Sequence, residues 1–565
     1  MTADAGNPST VLPDAGLATG ADSGDALTTA TDSRDALVPG SDVRDAPAAG
    51  ADTHDAPATK VDASDAATPT TDADQIDGGA TTYPTSCDDI GTEPVIPPPC
   101  ATLLATKTVA AGAATTDADE AALDTDAIQA AITACPAGQA VKLAANAGKN
   151  AFLVGPIRVS AGVTVWIDVG VTVYASRNPR VFDAKAGACG TAAGNSSCYG
   201  VFNMVGVNNT GLMGAGTVDG QGGQAVLGST STWWQLNDAA NGGLAAPRLV
   251  SANLGNDLVI AGLRFQNSGK FHIVPTGVRG FTIWGVTIIT DPSSPNTDGI
   301  DPSGSADGVI AYCNISTGDD NIAIKGAGPL VVDNIIIAHN HFGRGHGMSI
   351  GSETNVGVKN VKVCDLSLDG TDNGLRIKSD IGRGGLVTGI SYTDVCMRNV
   401  ASPLVFNPFY TSGATGSLIP DFQNITLSNL HILGGGKVRL QGYDAARPLT
   451  MTMDNVVFDG THHHGLSGCV HFGTEAGHPH AQRDRSDGDQ QCDGNRRAPR
   501  LHKRVGCVRV SGATLRRRLD HLAGLQGIDR RLACCLPIGG ENRRLNWHPR
   551  RFRAEAKPYS CAAAR

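Results

Sequence analysis

An eight-residue pattern of apolar positions recurs along the second half of the chain. Positions 1, 3, 6 and 8 of the pattern are apolar, and most of the others are polar or small. Alternation of this kind is typical of short half-buried strands and not of helices. The clear copies are Leu258/Ile260/Leu263/Phe265, Phe281/Ile283/Val286/Ile288, Val361/Val363/Leu366/Leu368, Ile390/Tyr392/Val395/Met397, Ile425/Leu427/Leu430/Ile432 and Met451/Met453/Val456/Phe458, and degenerate copies begin at Gly308 and Ile335.

The spacing of these copies predicts the fold class. Successive copies begin 23 to 35 residues apart. Repeats of that length made of short strands are typical of an all-β parallel solenoid, in which each coil buries its inward face against the next. Asn340 falls at an inward position, where we expect its amide to hydrogen-bond from coil to coil. Variation in spacing belongs to loops, and a loop-bearing face of a solenoid is where a ligand is expected to bind.

A different pattern precedes the repeats. From Thr125 to Cys135, a candidate cap residue and apolar residues at Ile128, Ile132 and Cys135 predict one amphipathic helix at the N-terminal end of the solenoid. Residues 162–175, GVTVWIDVGVTVYA, are rich in β-branched residues and predict paired short strands. We therefore expect one β-solenoid domain over residues 83–465, with one N-terminal capping helix.

The two ends of the chain differ from this domain. Residues 1–82 repeat Asp-Ala at intervals of about ten residues and contain few large apolar residues. We therefore expect a disordered tether, and a protein-binding arm is the minor alternative. Residues 466–565 are rich in Arg and lack strand alternation, and the five cysteines between residues 492 and 561 have no zinc-site spacing. This tail is interpreted as a polyanion-binding extension, a disordered tail or a product of a reading-frame shift, and the abrupt switch favours the last.

Composition bears on the compartment. The net charge is −9 and the chain has 14 cysteines, a number that favours an oxidising compartment. Cys87/Cys100 and Cys189/Cys198 are candidate local disulfides, although connectivity cannot be read from spacing. No apolar run approaches the ~20 residues of a membrane-spanning helix. The first residues, MTADAGNPST, lack the pattern of a secretory signal.

Four polar clusters interrupt the apolar pattern in consecutive coils. They are NTDGID (296–301), GDD (318–320), GHG (345–347) and RIK (376–378). Taken singly, the acidic clusters are ordinary turns, His346 is an isolated histidine, and Arg376 with Lys378 is a solvated strand face. Successive clusters lie about one coil apart, however, and turn preference does not explain that registration. We therefore expect all four to lie side by side on one face.

These residue types fit the hydrolysis of a glycosidic bond. That reaction needs one carboxylic acid to protonate the leaving oxygen and a carboxylate to activate water, with room for the water if the enzyme inverts. Clustered aspartates raise one another's pKa, which helps one of them to stay protonated. Arg376 and Lys378 offer donors for a carboxylate on the substrate.

In their order and spacing, NTDG, GDD, GHG and RIK resemble the signature motifs of the polygalacturonases, glycoside hydrolase family 28. Phrases such as GTVDGQGG, STGDDNIAIK and GHGMSIGSET are similar to bacterial members, and the resemblance runs from about Tyr83 to about Phe458. It implies a right-handed parallel β-helix that hydrolyses α-1,4-linked galacturonan with inversion. The RIK pair favours homogalacturonan over rhamnogalacturonan.

The resemblance also implies residue roles. Asp319 would be the general acid, Asp298 and Asp320 would activate water, and His346 would support the acid. The substrate-binding residues implied are Asn296, Arg376, Lys378 and Tyr410, the last in the looser motif LVFNPFY. It further implies an extracellular protein that needs no metal or other cofactor, acts on polygalacturonate or pectin as a monomer, and binds neither nucleic acid nor membrane.

Other functions stay open at this stage. A pectate lyase also uses a β-helix, but it needs calcium-binding acidic residues and an Arg base. A binding or adhesive solenoid would not need Asp319, and an aberrant C-terminal end could leave a pectin-binding solenoid with impaired catalysis. Endo and exo action depend on loops at the groove ends, which the pattern does not decide. The triplet His462–His464 is interpreted as part of the atypical C-terminal region and not as a metal site.

Overall fold

The structure is a computed structural model that describes residues 83–110, 112–434 and 436–459. At residue 195, and in the strands His462–Ser467 and Val470–Phe472, it describes the backbone alone. The expectations for residues 1–82 and for the tail beyond Phe472 fall outside the described residues. Strands continue past residue 465. The strand His462–Ser467, which contains the triplet His462–His464, pairs with the strand of the preceding coil.

The described residues form mostly β-strands. In chain order these strands are β1 (Pro99–Leu104), β2 (Gln139–Ala144), β3 (Ala151–Val154), β4 (Ile157–Arg158), β5 (Val163–Ile167), β6 (Thr172–Ala175), β7 (Phe202–Val205), β8 (Asn208–Gly214), β9 (Thr217–Asp219), β10 (Val250–Asn253), β11 (Asn256–Ala261), β12 (Arg264–Gln266), β13 (Ile273–Thr276), β14 (Arg279–Trp284), β15 (Thr287–Ile289), β16 (Ala306–Ala311), β17 (Asn314–Ser316), β18 (Ile322–Ile324), β19 (Val332–Phe342), β20 (Met348–Ile350), β21 (Val358–Asp369), β22 (Asn373–Lys378), β23 (Leu386–Arg398), β24 (Ser402–Asn407), β25 (Asp421–Leu433), β26 (Gly436–Gln441), β27 (Leu449–Asp459), β28 (His462–Ser467) and β29 (Val470–Phe472).

These strands form two long surfaces, and neighbouring strands within each surface run parallel. We call the larger surface sheet A; it contains β1–β3, β5, β6, β8, β9, β11, β12, β14–β17, β19, β21, β23, β25, β27 and β29. The second surface, sheet B, runs through β4, β7, β10 and β13 and then through β18, β20, β22, β24, β26 and β28. Single bridges from Ile273 to Ile300 and from Ile300 to Ile322 join the two parts of sheet B. Since crossovers between parallel strands are right-handed, the fold is the predicted right-handed parallel β-helix.

The register of sheet A confirms the eight-residue pattern. Its predicted first positions pair in unbroken succession, Leu258 with Phe281, Phe281 with Gly308, Gly308 with Ile335, Ile335 with Val361, Val361 with Ile390, Ile390 with Ile425 and Ile425 with Met451. The pairs bring inward side chains together, with the Phe281 ring packed over Gly308, and the resulting stack is the continuous core of the domain. The two halves of the pattern are separate strands in early coils and merge into single strands from β19 onward.

The predicted helix is present, and its start differs in detail. Helix α1 (Thr125–Ala134) buries Ile128 and Ile132 in the core and contacts β2 and β4. Its N-cap residue is Asp124, not Thr125, and the Asp124 carboxylate accepts hydrogen bonds from Leu153 N and Thr106 Oγ1 instead of capping the helix. Thr125 Oγ1 accepts one from Gly155 N at 2.8 Å. Both polar residues therefore tie the helix to the first coils.

A second helix was not predicted. Helix α2 (Trp233–Ala239) begins with a capping box in which Thr232 and Gln235 exchange side-chain and backbone hydrogen bonds. Its sequence signal, a Thr followed three residues later by Gln, is visible in STWWQL. Short 3₁₀ turns occur at Asp119–Ala121, Pro179–Phe182 and Asn195–Ser197. None of the helices among the described residues is long and apolar enough to cross a membrane.

Two other local predictions needed correction. The strands within residues 162–175 exist as β5 and β6, but they pair with neighbouring coils and not with each other. The disulfide Cys189–Cys198 is confirmed, whereas the expected Cys87–Cys100 pair is wrong. Cys87 bonds Cys364, and Cys100 bonds Cys135 at the end of α1. The partner of Cys87 lies 277 residues away in sequence, so no local spacing could identify it.

Asn340 occupies the inward position that the pattern predicts. Its side chain is 3% exposed; the Oδ1 atom accepts from Cys313 N at 2.8 Å and the Nδ2 atom donates to Ile310 O at 2.9 Å. These two groups belong to the preceding coil, where a turn separates β16 from β17. The amide therefore links two backbone groups of the preceding coil, and it supplies the acceptor for Cys313 N, which lies in the turn between the strands.

We expect Asn340→Ala to lower the free energy of unfolding by about 1–3 kcal/mol, because it leaves the buried Cys313 N–H without its acceptor. Denaturant unfolding followed by circular dichroism measures the change. The control is Asn314→Ala, which truncates an exposed asparagine on β17 and should cost less than about 0.5 kcal/mol. Equal effects of the two substitutions would contradict the bridging role of Asn340.

Candidate active site

The register of sheet B brings the predicted polar clusters onto one face. Ile300 bridges Ile322, Ile322 pairs with Met348, and Met348 pairs with Leu375. Asp298, Asp320 and His346 stand two residues before the first three of these positions. Neighbouring coils are about 4.8 Å apart along the hydrogen-bond direction. Residues distant in sequence are thereby held in adjacent coils, as the spacing predicts.

Backbone hydrogen bonds fix the chain where these side chains emerge. His272 N donates to Asp298 O, and Gly299 N donates to Asp320 O, both at 2.9 Å. His346 N donates to Asp319 O at the same distance. The backbone of each catalytic candidate is therefore tied to the next coil, and its position follows from the ladder and not from a free loop.

Gly347 shows why the histidine is flanked by glycine. Its φ is +85°, and a Cβ there would lie 2.1 Å from Asn373 O. Gly347 is therefore required by a close approach between coils, since no larger residue fits.

A chain of hydrogen bonds runs from Asp319 to the surface. His346 Nδ1 lies 3.0 Å from Asp319 Oδ1, and His346 Nε2 lies 3.3 Å from Asp372 Oδ2. Burial lowers the pKa of His346, but the carboxylates of Asp319 and Asp372 outweigh it and raise that pKa well above its usual value. Asp372 is exposed. Protons can therefore pass between solvent and Asp319 through the imidazole.

Asp320 lies in a different electrostatic environment from its neighbour. Its Oδ1 accepts a hydrogen bond from Ser349 Oγ at 2.6 Å and lies 3.5 Å from Arg376 NH1, and its Oδ2 lies 3.1 Å from Lys378 Nζ. All four residues are buried. Two adjacent aspartates thus face opposite surroundings, since Asp319 contacts a histidine and Asp320 is neutralised by two cations.

Asp298 completes the group of carboxylates. Burial raises its pKa well above the usual range, and the carboxylates of Asp301 and Asp319 raise it further. Lys325 Nζ opposes this effect from 3.6 Å, and it also lies 3.5 Å from Asp301 Oδ2. Burial also raises the pKa of Asp301, to about 6. Asp298 and Asp301 therefore compete for one half-buried ammonium group.

Sequence reasoning missed Asp301, Lys325, Ser349 and Asp372. The first three lie within the quoted stretches NTDGID, STGDDNIAIK and GHGMSIGSET, so their proximity to the motifs was available as a signal. Asp372 lies outside these stretches, and only the direction of the His346 ring brings it to the site.

The predicted substrate-binding residues occupy two places. The Tyr410 ring is half-buried beside Arg376 and Lys378, with the guanidinium carbon 5.2 Å and the ammonium 4.9 Å from its centroid. Tyr410 OH also accepts from Arg376 NH2 at 3.3 Å. Asn296 is not among these cations: it is buried, and its Oδ1 accepts from Asn237 Nδ2 of α2 at 3.0 Å.

The cluster of Asp319, Asp320 and His346 also has the donor types of a cation site, with ligand atoms within 4.8 Å of one another. The surroundings do not favour a metal ion, however. Arg376 and Lys378 already supply positive charge to Asp320, and the raised pKa of His346 keeps a proton on the nitrogen that a metal would need.

Comparison with known proteins places this geometry in a family. The profile described as glycosyl hydrolases family 28 matches residues 135–476. The chain belongs to this family. It is 45% identical over 389 residues to a polygalacturonase of Ralstonia solanacearum, covering 60% of this chain and 73% of that protein. It is 42% identical over 369 residues to an endo-polygalacturonase of Pectobacterium parmentieri, covering 64% and 88%.

A solved structure agrees with the family assignment. The polygalacturonase from Erwinia carotovora ssp. carotovora is similar with a TM-score of 0.62 at 38% sequence identity, covering 69% of this chain and all of that one. The match of fold and family confirms the resemblance of the four motifs. Nothing in these comparisons favours a solenoid with impaired catalysis.

The raised pKa of His346 predicts a pH-dependent stability. A histidine whose pKa is higher in the folded state adds stability that is complete below its unfolded value of about 6.5 and disappears as pH rises through the folded value. We expect wild type to exceed His346→Gln in free energy of unfolding most below about pH 6.5, with the difference shrinking at higher pH. Denaturant unfolding across this range measures it.

The same measurement in an Asp319→Asn background provides the control. The Asp319 carboxylate is the main group that raises the pKa of His346, so the pH dependence of the difference should weaken when that charge is removed. A difference between wild type and His346→Gln that stays constant with pH would contradict the ion pair.

Proposed function

We propose that the chain hydrolyses the α-1,4-galacturonosidic bonds of polygalacturonate and pectin with inversion. The observation that carries the proposal is the placement of three aspartates, a histidine and two cations on adjacent coils of sheet B. The names of its relatives from Ralstonia solanacearum and Pectobacterium parmentieri support the substrate.

Asp319 is the general acid in this proposal. It donates a proton to the glycosidic oxygen as the bond from that oxygen to the anomeric carbon breaks. His346, hydrogen-bonded at 3.0 Å, then returns a proton to the Asp319 carboxylate. The exposed carboxylate of Asp372 at the other ring nitrogen connects this relay to solvent.

Asp298 and Asp320 activate the attacking water. The water oxygen bonds to the anomeric carbon on the face opposite the leaving group, and its proton passes to one of these carboxylates. The base must be ionised to accept it. Lys325 favours the ionised form of Asp298, and Asp320 forms ion pairs with Arg376 and Lys378.

Arg376, Lys378 and Tyr410 bind the galacturonate carboxylate next to the cleaved bond. Both cations already contact one anionic group, the Asp320 carboxylate. The half-buried Tyr410 ring lies beside the guanidinium of Arg376 and the ammonium of Lys378 and positions them. A charged guanidinium forms two parallel hydrogen bonds to a carboxylate, which gives orientation as well as attraction. This anion requirement favours homogalacturonan over a neutral polymer.

Secretion into a cell-wall environment fits the covalent structure. Three disulfides occur among the described residues, and such bonds persist in oxidising compartments. Two other functions make distinct predictions. A pectate lyase would release an unsaturated product that absorbs ultraviolet light, and an adhesive solenoid would bind pectin without cleaving it.

Asp319→Asn tests the assignment of the acid. We expect release of reducing ends from polygalacturonate to fall by roughly 10²- to 10⁴-fold, because the amide cannot protonate the leaving oxygen. The control is Asp333→Asn on sheet A, whose aspartate pairs with Lys359 away from the site and should keep wild-type activity. Retained hydrolysis in Asp319→Asn would contradict the mechanism, and an ultraviolet-absorbing product would indicate a lyase.

Lys325→Met tests the control of the base. Removing the cation takes away the group that lowers the pKa of Asp298 and Asp301. Both carboxyls then ionise at higher pH, so the acid limb of the kcat/KM profile should move upward by about one pH unit or more. Lys325→Arg keeps the positive charge, so the acid limb of its kcat/KM profile should lie close to the wild-type position. Loss of activity with an unmoved acid limb would show that Lys325 has only a structural role.

A further inference from the structure

The column of candidate residues on sheet B continues beyond Asp298 toward the N-terminal coils. Val250 pairs with Ile273, and Ile273 bridges Ile300. Two residues before these positions stand Arg248 and Phe271, as Asp298 stands two residues before Ile300. Arg248, Phe271 and Asp298 therefore follow one another in consecutive coils, on the opposite side of Asp298 from Arg376 and Lys378.

Three cations surround the Phe271 ring. Arg248, Lys270 and Lys325 place their charged groups 5.4, 5.7 and 5.3 Å from its centroid. Two of them are committed to other groups. Lys270 is buried and donates to Gly242 O and Leu244 O, and Lys325 pairs with Asp298 and Asp301.

Arg248 differs from the other two cations. It is half-buried, and within the described part of the chain its guanidinium takes part in no ion pair and no side-chain hydrogen bond. A guanidinium carries five N–H donors in a fixed planar fork. Holding such a group partly out of water without an acceptor costs free energy, so the position is understandable if an external anion binds there.

The Phe271 ring lies beside that guanidinium, with the guanidinium carbon 5.4 Å from the ring centroid. A cation–π contact at this distance attracts the guanidinium to the ring without using its N–H donors. Burial lowers the pKa of Arg248 although Asp301 and Asp298 oppose this effect, so these carboxylates do not fully compensate the charge. A planar carboxylate is an anion that such a fork binds through two parallel hydrogen bonds.

We propose that Arg248, in contact with the Phe271 ring, forms a second carboxylate subsite that binds another galacturonate unit of the same polymer chain, across the cleaved bond from Arg376 and Lys378. The inference rests on the proposed function, because it takes polygalacturonate as the ligand. Coils about 4.8 Å apart along the solenoid axis place Arg248 two coils from Asp298, so one polymer chain lying along the face meets a cation on each side of the carboxylates.

Binding to an inactive protein tests the subsite separately from catalysis. In the Asp319→Asn background, Arg248→Gln should raise the Kd of hexagalacturonate, measured by calorimetry, by about tenfold or more, the effect of losing a hydrogen bond between charged groups. The Kd of the Arg248→Lys variant should lie between those of the Asp319→Asn parent and the Arg248→Gln variant, because lysine keeps the positive charge but lacks the planar fork of donors. Arg264→Gln, which removes an exposed arginine on β12, should leave Kd unchanged.

A methyl-esterified hexagalacturonate separates charge recognition from packing. Arg248→Gln should change its Kd little, because the ester has no anionic carboxylate. Unchanged Kd for the acid ligand, or equal losses for acid and ester, would overturn the subsite. Thermal unfolding verifies that the variants fold; if Arg248→Gln does not, the same comparison of acid and ester is made with Arg248→Lys. Hydrolysis by wild type is measured independently, and its absence would refute the proposed function instead.

Discussion

Coil-to-coil hydrogen bonding of the backbone is the constraint on which the rest of this structure depends. It adds one strand per coil at a separation of about 4.8 Å, and it permits no slippage because the inward side chains must meet their neighbours. Residues such as Asp298, Asp320 and His346 acquire their positions from this register alone. A site assembled in this way is as rigid as the core beneath it, which suits electrostatic preorganisation.

The register also explains how so many charges can be buried together. Isolated carboxylates would be protonated or excluded at this depth, and Asp298 shows the effect in its strongly raised pKa. Counter-charges come from other coils: Asp298 and Asp301 share Lys325, whereas Asp319 has His346 and Asp320 has Lys378. Charges from successive coils thus stabilise one another, and their separate partners divide the acid and base roles.

Periodicity made much of this predictable from sequence. The starts of the repeat, from Leu258 to Met451, match the observed register because an inward apolar position leaves a local signal. The one-coil spacing of the motifs located the site for the same reason. Contacts without a local signal escaped: the Cys87–Cys364 disulfide spans distant coils, and the interaction of Asp372 with His346 depends on a ring orientation that no spacing encodes.

A repetitive protein and a repetitive polymer pose a matching problem. The substrate carries one carboxylate per sugar, whereas the solenoid offers one side chain per coil at each position of sheet B. Cations at every coil would bind the polymer uniformly, and uniform binding does not accelerate cleavage. Arg376 and Lys378 lie on one side of the aspartates and Arg248 lies on the other, so the carboxylates interrupt a positively charged face. The glycosidic bond that lies over these carboxylates is then the one that Asp319 can protonate.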